Sequence, residues 1–238
     1  EGHPDLRPLV LHESFPEDFH PLRKSVAVNA KVRGERKFKI RTAKGQGLFQ
    51  VPVGPIHAGI IEPGHFRFSQ AGEAMLQLDA KLFFTHRGIE KAVEGKTPEE
   101  ALHIVERICG ACSVANTWSF CQAVEKAAGV AVPRRAEIIR TLLSELERIT
   151  NHVGDLGNMP AGVGFNPAIS LGSRLKEQLM RLCEAVAGNR FLRGVIVPGG
   201  VRQDITPELI EHIHEVMDAT AQGVEDLAAM FREQENFQ

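Results

Sequence analysis

The sharpest chemical signal in the sequence is Arg107-Ile108-Cys109-Gly110-Ala111-Cys112. Two thiols separated by two residues can turn both sulfurs toward one metal ion or toward each other, and Gly110 leaves the backbone room for that turn. The motif lies between the end of one predicted helix and the start of the next, where backbone N–H groups and the helix dipole favour thiolate over thiol. A metal half-site, a redox dithiol and a pair of core cysteines all fit that spacing. A thioredoxin-like dithiol follows a strand, whereas Pro98 to Ile108 carries a helical pattern, which weighs against the redox option. Cys121 and Cys183 stand singly on helix faces beside Phe120, Val124, Leu182 and Val186, as core packing.

Three further groups have residue types suited to chemistry. Glu62-Pro63-Gly64-His65-Phe66-Arg67 sets a carboxylate, an imidazole and a guanidinium on one strand-turn-strand connection, a set that can relay protons or simply pair Glu62 with Arg67 at the surface. His86-Arg87-Gly88-Ile89-Glu90-Lys91 reads as a charged turn after a strand, or as a site that holds a neighbouring anion or cluster. Asn151-His152 falls among apolar helix positions, where a histidine is ordinarily hydrogen-bonded in a core.

The elements that must position these residues divide the chain into three stretches. Residues 1–30, with Pro4, Pro8, Pro16 and Pro21 among charges, suit an extended segment. Residues 31–96 turn to period two, clearest in Leu76-Gln77-Leu78-Asp79-Ala80-Lys81-Leu82, a half-buried antiparallel strand with its leucine face covered and its polar face wet. From 97 to 238 the period is helical and carries the CxxC motif. Thr97-Pro98-Glu99-Glu100 opens a helix with a capping box that runs to about Ile108. A second helix carries Trp118, Cys121 and Val124 and stops at Gly129; a third starts at Pro133, repeats apolar residues at threes and fours, and closes at Gly157. A fourth covers roughly 171–188 and a fifth starts at Thr206-Pro207-Glu208. The fold class is α+β, a small antiparallel sheet followed by a helical bundle.

Composition bounds the function classes. The 238 residues are 43% apolar with a formal charge of -2, long enough to bury a core and without the basic footprint that binding a phosphate backbone requires. Nucleic acid is excluded as a partner. No run of about 18 apolar residues exists, so the chain itself does not insert into a membrane. Four unevenly spaced cysteines and no secretory signal point to reduced thiols in the cytoplasm. The start at Glu1-Gly2-His3-Pro4 and the end just after a helical pattern read like an excised piece.

Taken in order, the motifs resemble a known family. Gly54-Pro55-Ile56-His57, Glu62 to Phe68, His86 to Lys91, Glu106 to Cys112, and Gly188-Asn189-Arg190-Phe191-Leu192-Arg193 through Pro198-Gly199-Gly200 look like the large subunit of energy-converting, membrane-bound nickel-iron hydrogenases of the formate hydrogenlyase type, related to the quinone-site subunit of respiratory complex I. Gly2 to Arg7 and His20 to Lys24 resemble the end of complex I's small hydrophilic subunit. The resemblance implies interconversion of hydrogen with protons and electrons at a nickel-iron centre. Cys109 would be a terminal nickel ligand, Cys112 a bridge between nickel and iron, Glu62 the proton-transfer carboxylate and His65 its neighbour. Arg87 and His152 would lie near an iron-sulfur cluster of a partner small subunit, whose potential a cation raises. Other partners would be membrane-arm subunits that hold the chain at the cytoplasmic face of the membrane.

Two departures from the family pattern stand out. Asn116 occupies the place, four residues after the second cysteine, where the family usually has histidine, and this chain has no second pair of the DPCxxC type. With half the ligands, these residues alone are expected neither to bind the centre nor to turn over hydrogen. A complex I-like electron-transfer or quinone-binding subunit is the alternative, and structural zinc shared with a partner is a third.

Overall fold

Period-two patterning in the first part of the chain produces a three-stranded antiparallel sheet, and 3.6-residue patterning after Gly95 produces a stack of long helices. The computed structural model describes residues 15–16, 19–21, 23–27, 29–31, 41, 43–55, 63–82, 84 and 86–234. The chain divides into two compact units, Glu1–Glu94 and Gly95–Gln238. Most of the proline-rich first stretch, Gly2 to Arg7 included, and the Glu62 turn position lie outside the described residues.

In the first unit, β1 (Phe49–Val53), β2 (His65–Ala71) and β3 (Ala74–Lys81) pair in sequence order. Gly72, at φ +61°, makes the tight β2–β3 turn. The burial of β3 is the reverse of what its pattern predicts. Leu76, Leu78 and Leu82 are 57%, 50% and 52% exposed, while Gln77, Asp79 and Lys81 are partly covered. Arg41 and Ala43 bond to the polar face: the Arg41 N–H donates to Asp79 (2.6 Å) and the Ala43 N–H to the buried Ser69 hydroxyl (3.2 Å), to which Gln50 also donates (3.0 Å). Satisfied hydrogen bonds let a polar face be covered, which alternation alone cannot foresee. The charged stretch after β3, read as a turn, contains a short helix, α1 (Ile89–Val93), entered through Gly88 at φ +69°.

The second unit contains α2 (Pro98–Val105), α3 (Ser113–Ala128), α4 (Arg134–Asn158), α5 (Asn166–Ala187) and α6 (Pro207–Glu233), with a 3-10 turn at Met159–Val163 and a small hairpin, β4 (Ile196–Val197) with β5 (Gly200–Val201). The capping box forms as read: the Glu100 N–H donates to the Thr97 hydroxyl, and the Glu100 carboxylate accepts from the Thr97 N–H at 2.9 Å. Thr206 caps α6 in the same way, and Gly129, at φ +67°, ends α3. Helix α2 is shorter than its pattern suggested, ending at Val105, and α5 starts earlier, with Pro167 in its first turn. Gly157 does not close α4. A Cβ there would come within 2.7 Å of the Gly172 Cα, so this glycine permits α4 and α5 to cross backbone to backbone.

The core draws on one stripe from each helix: Leu102, Val114, Cys121, Ile139, Leu143, Leu146, Leu182, Val186 and Ile213 are all buried. Ile138 of α4 and Ile210 of α6 lie at the rim, 50% and 36% exposed. Through this core passes Arg140, 1% exposed, which donates to both oxygens of Glu125 on α3 (3.1 and 2.5 Å) and to the carbonyls of Val197 (2.7 Å) and Gly200 (3.0 and 3.2 Å). The Gly199 N–H closes the network on Glu125 at 2.7 Å. The Arg140 guanidinium holds the Glu125 carboxyl below its ordinary value, against the upward push of burial.

Truncation of Arg140 strands a buried carboxylate. Arg140→Ala should lower stability by about 3–5 kcal/mol. With a folded-state pKa below the unfolded one, Glu125 contributes stability at neutral pH that is lost as pH falls below the ordinary carboxylate range through the depressed value. Denaturant titration of both proteins at neutral and acidic pH should show the difference shrinking in acid. A difference that stayed constant with pH would remove the ion pair as its cause.

Candidate functional site

The CxxC loop begins where α2 ends and is anchored on both shoulders. On the first, Glu106 is 3% exposed and accepts from Arg107 (2.5 Å) and from the Gly194 N–H (3.0 Å). The segment that supplies Gly194 is itself held in shape: Leu192 adopts φ +55°, a left-handed conformation that a branched residue keeps only under surrounding constraint. Arg193 adds a bond to the Ser113 hydroxyl at 3.2 Å.

The second shoulder is the start of α3, with Cys112 at the N-cap. Its first turn is not open to a thiolate. Glu147, reaching from α4, accepts from the Val114 N–H (2.6 Å) and the Ala115 N–H (3.0 Å). Two of the backbone donors that the sequence reading offered to a cysteine thiolate are therefore occupied by a carboxylate. Burial pushes the Glu147 carboxyl above its ordinary value, and the two amide bonds offset only part of that rise. One helical turn further along α4, Asn151 donates to the Ala111 carbonyl at 2.6 Å. Asn116 donates to the Cys112 carbonyl at 2.8 Å, so its side chain braces the loop backbone.

Held this way, the Cys109 and Cys112 sulfurs converge to 3.2 Å without a disulfide, and both residues are partly exposed. Metal–sulfur bonds of about 2.3 Å allow two sulfurs at this separation to share one ion. Gly110 is not what makes the turn possible: a Cβ there would meet nothing within 4 Å and its φ is not positive. Behind the loop lies a cavity of about 250 Å³ lined in part by Ala111, Glu147, Asn151, Lys176 and Cys183. Lys176 runs along a slot left by Gly154, where a Cβ would sit 2.9 Å from the lysine nitrogen.

Among the predicted site residues, Cys109, Cys112 and Asn116 are brought together. His152 is on α4 but exposed, so the core reading of that histidine is overturned, and its neighbour Asn151 makes the inward bond. His65 and Arg87 belong to the first unit, where the His65 Nδ1 lies 3.1 Å from the Gly54 carbonyl. Glu62 lies outside the described residues. Cys121 and Cys183 are core residues as read, with burial pushing Cys121 up to about 11 and Cys183 in the same direction. Sequence reasoning missed Glu147. Its signal was an acid in the apolar stripe of α4, one turn before Asn151.

The nickel-dependent hydrogenase family matches residues 87–155, and the respiratory-chain NADH dehydrogenase 49 kDa subunit family matches residues 163–238. Among curated relatives, hydrogenase-4 component G of Escherichia coli is 38% identical over 213 residues, covering 87% of this chain and 38% of the relative. Formate hydrogenlyase subunit 5 of the same organism is 32% identical over 233 residues, 95% of this chain and 41% of the relative. The chain thus spans about two fifths of these relatives. A subunit of the archaeal membrane-bound sulfane sulfur reductase superposes with a TM-score of 0.72 at 24% identity over 81% of this chain and 52% of that one, a likeness of fold.

Exposure and acidity together predict a division among the thiols. In the native full chain, iodoacetamide should modify Cys109 and Cys112, with Cys121 and Cys183 modified only after denaturation. Peptide mass spectrometry reads this directly, and equal native labelling of Cys121 and Cys112 would contradict the site as described.

Proposed function

This chain belongs to the family that joins nickel-dependent hydrogenases with the 49 kDa subunit of respiratory-chain NADH dehydrogenase, and on that premise we propose that it is part of a hydrogenase catalytic subunit. The observation that carries the reading is the convergence of Cys109 and Cys112 at 3.2 Å on a loop held by two helices. Thiolates suit both nickel and iron, and the pair fits half of the ligand set of such a centre. When bound, a nickel-iron centre supplies the redox chemistry that interconverts hydrogen with protons and electrons.

In this reading Cys109 and Cys112 hold the metal side of the site, and a thiolate sulfur accepts a proton that Glu62 passes on, with His65 beside it. Asn116 braces the loop at the position where the family usually has a titratable ring. Arg87 and His152 face an iron-sulfur cluster of a small partner subunit and favour its reduced state. Since this chain supplies one pair of thiolates, activity requires the other pair, and the isolated chain is inactive. Among the described residues no helix is long and apolar enough to cross a membrane, so attachment to the cytoplasmic face comes through membrane-arm partners.

A second reading, a quinone-binding subunit without metal, is favoured by the match of residues 163–238 to the 49 kDa subunit and by Asn116. Metal analysis of the full-length protein purified with its partners separates the two. Nickel and iron in comparable amounts are expected, with Cys112→Ser losing nickel; a metal-free protein would favour the quinone reading, and zinc alone a structural site. In the same preparation Glu62→Gln should keep its nickel and lose hydrogen turnover by about 10²–10⁴-fold. Undiminished turnover would take Glu62 out of the proton path.

A further inference from the structure

The CxxC loop is flanked by two side chains from a single face of α4. Glu147 and Asn151, one turn apart, act on opposite sides of Cys112: the carboxylate holds the Val114 and Ala115 amides, and the carboxamide holds the Ala111 carbonyl. We infer that Glu147 and Asn151 are positioning residues that fix Cys109 and Cys112 at the separation needed to share one ion. The inference deepens the metal reading above, yet it concerns the convergence of two thiols and not which metal they take.

Three features argue that these bonds position the loop. Both residues donate or accept through backbone groups of 111, 114 and 115, so they set the path of the chain on either side of Cys112 and do not depend on loop side chains. Each is partly buried on the wall of the same cavity, where lost bonds are replaced by water less readily than at the surface. Asn116 fixes the Cys112 carbonyl from the other direction, so that Ala111, Cys112, Val114 and Ala115 are each tied by a side-chain bond to the backbone. On the other shoulder, Glu106 accepts from the Gly194 N–H.

A trivalent arsenical tests convergence without any metal. Phenylarsine oxide condenses with two thiols: two As–S bonds form, the arsenic-bound oxygen leaves as water with both thiol protons, and no oxidation state changes. One equivalent should bind the metal-free full chain, located by mass spectrometry on the peptide containing Cys109 and Cys112. Glu147→Gln, which keeps one accepting oxygen, should weaken binding about threefold, while Glu147→Ala and Asn151→Leu should each weaken it about tenfold, the scale of a lost buried hydrogen bond. Iodoacetamide, which needs one sulfur, should label Cys109 in all variants within about twofold of the unmodified chain. Unchanged arsenical affinity in variants whose Cys121 stays protected would overturn the inference. General labelling of Cys121 in all three variants would overturn it too, by assigning the pair to global stability. Metal content, measured separately, reports on the hydrogenase reading.

Discussion

The second unit is organised around the buried pair of Arg140 and Glu125. A guanidinium at 1% exposure survives in a core only because each of its donors has an acceptor, and here those acceptors come from α3 and from both strands of the β4–β5 hairpin. The pair therefore fixes the mutual register of three elements at once. Its reach extends to the candidate site because α3 and α4 run antiparallel. Glu125 meets Arg140 at one end, Val114 and Ala115 meet Glu147 nearer the other, and Ala111 meets Asn151 just beyond the helix start. A slip of one residue at the ion pair would turn Glu147 about 100° away from the amides it binds.

The same geometry resolves an electrostatic competition at the start of α3. A helix N-terminus has few free amides, and two of them are taken by Glu147. Glu147 thus takes two of the donors nearest Cys112, and the loop backbone on the α3 side is fixed by that carboxylate and not by the sulfurs themselves. The two sulfurs are left to converge on each other at 3.2 Å.

Local signals were legible in the sequence. The capping box at Thr97 and Glu100, the Gly129 stop, the apolar stripes and the CxxC loop each depend on residues a few positions apart, where spacing alone carries the physics. Features that depend on distant partners were not. The burial of Arg140 is explained by a carboxylate fifteen positions away and by carbonyls some sixty away, so no local spacing signals it. Gly157 read as a stop because a glycine at the end of a pattern usually is one, whereas Gly172, which makes its real role visible, lies on the next helix. The leucines of β3 alternate as a covered face should, yet the hydrogen bonds of Ser69 and Asp79 to Ala43 and Arg41 lie on the other side.

Under the proposed metal reading, the other two cysteines bear on where further donors would come from. Cys121 is 0% exposed and Cys183 2%, both belong to the helical core, and burial holds both thiols protonated at neutral pH. Turning either into a ligand would mean extracting it from packing that α3, α4 and α5 share, at a cost of the order of 2–5 kcal/mol for the cavity alone. Among the described residues no group of three or more histidine, cysteine or carboxylate side chains gathers around an ion-sized space. The described part of the chain thus offers two partly exposed, converged sulfurs and two that the fold withholds. On the proposed metal reading, a tetrathiolate set would draw its second pair from outside the described residues, which makes the placement of the first pair the part of the assembly that this fold determines.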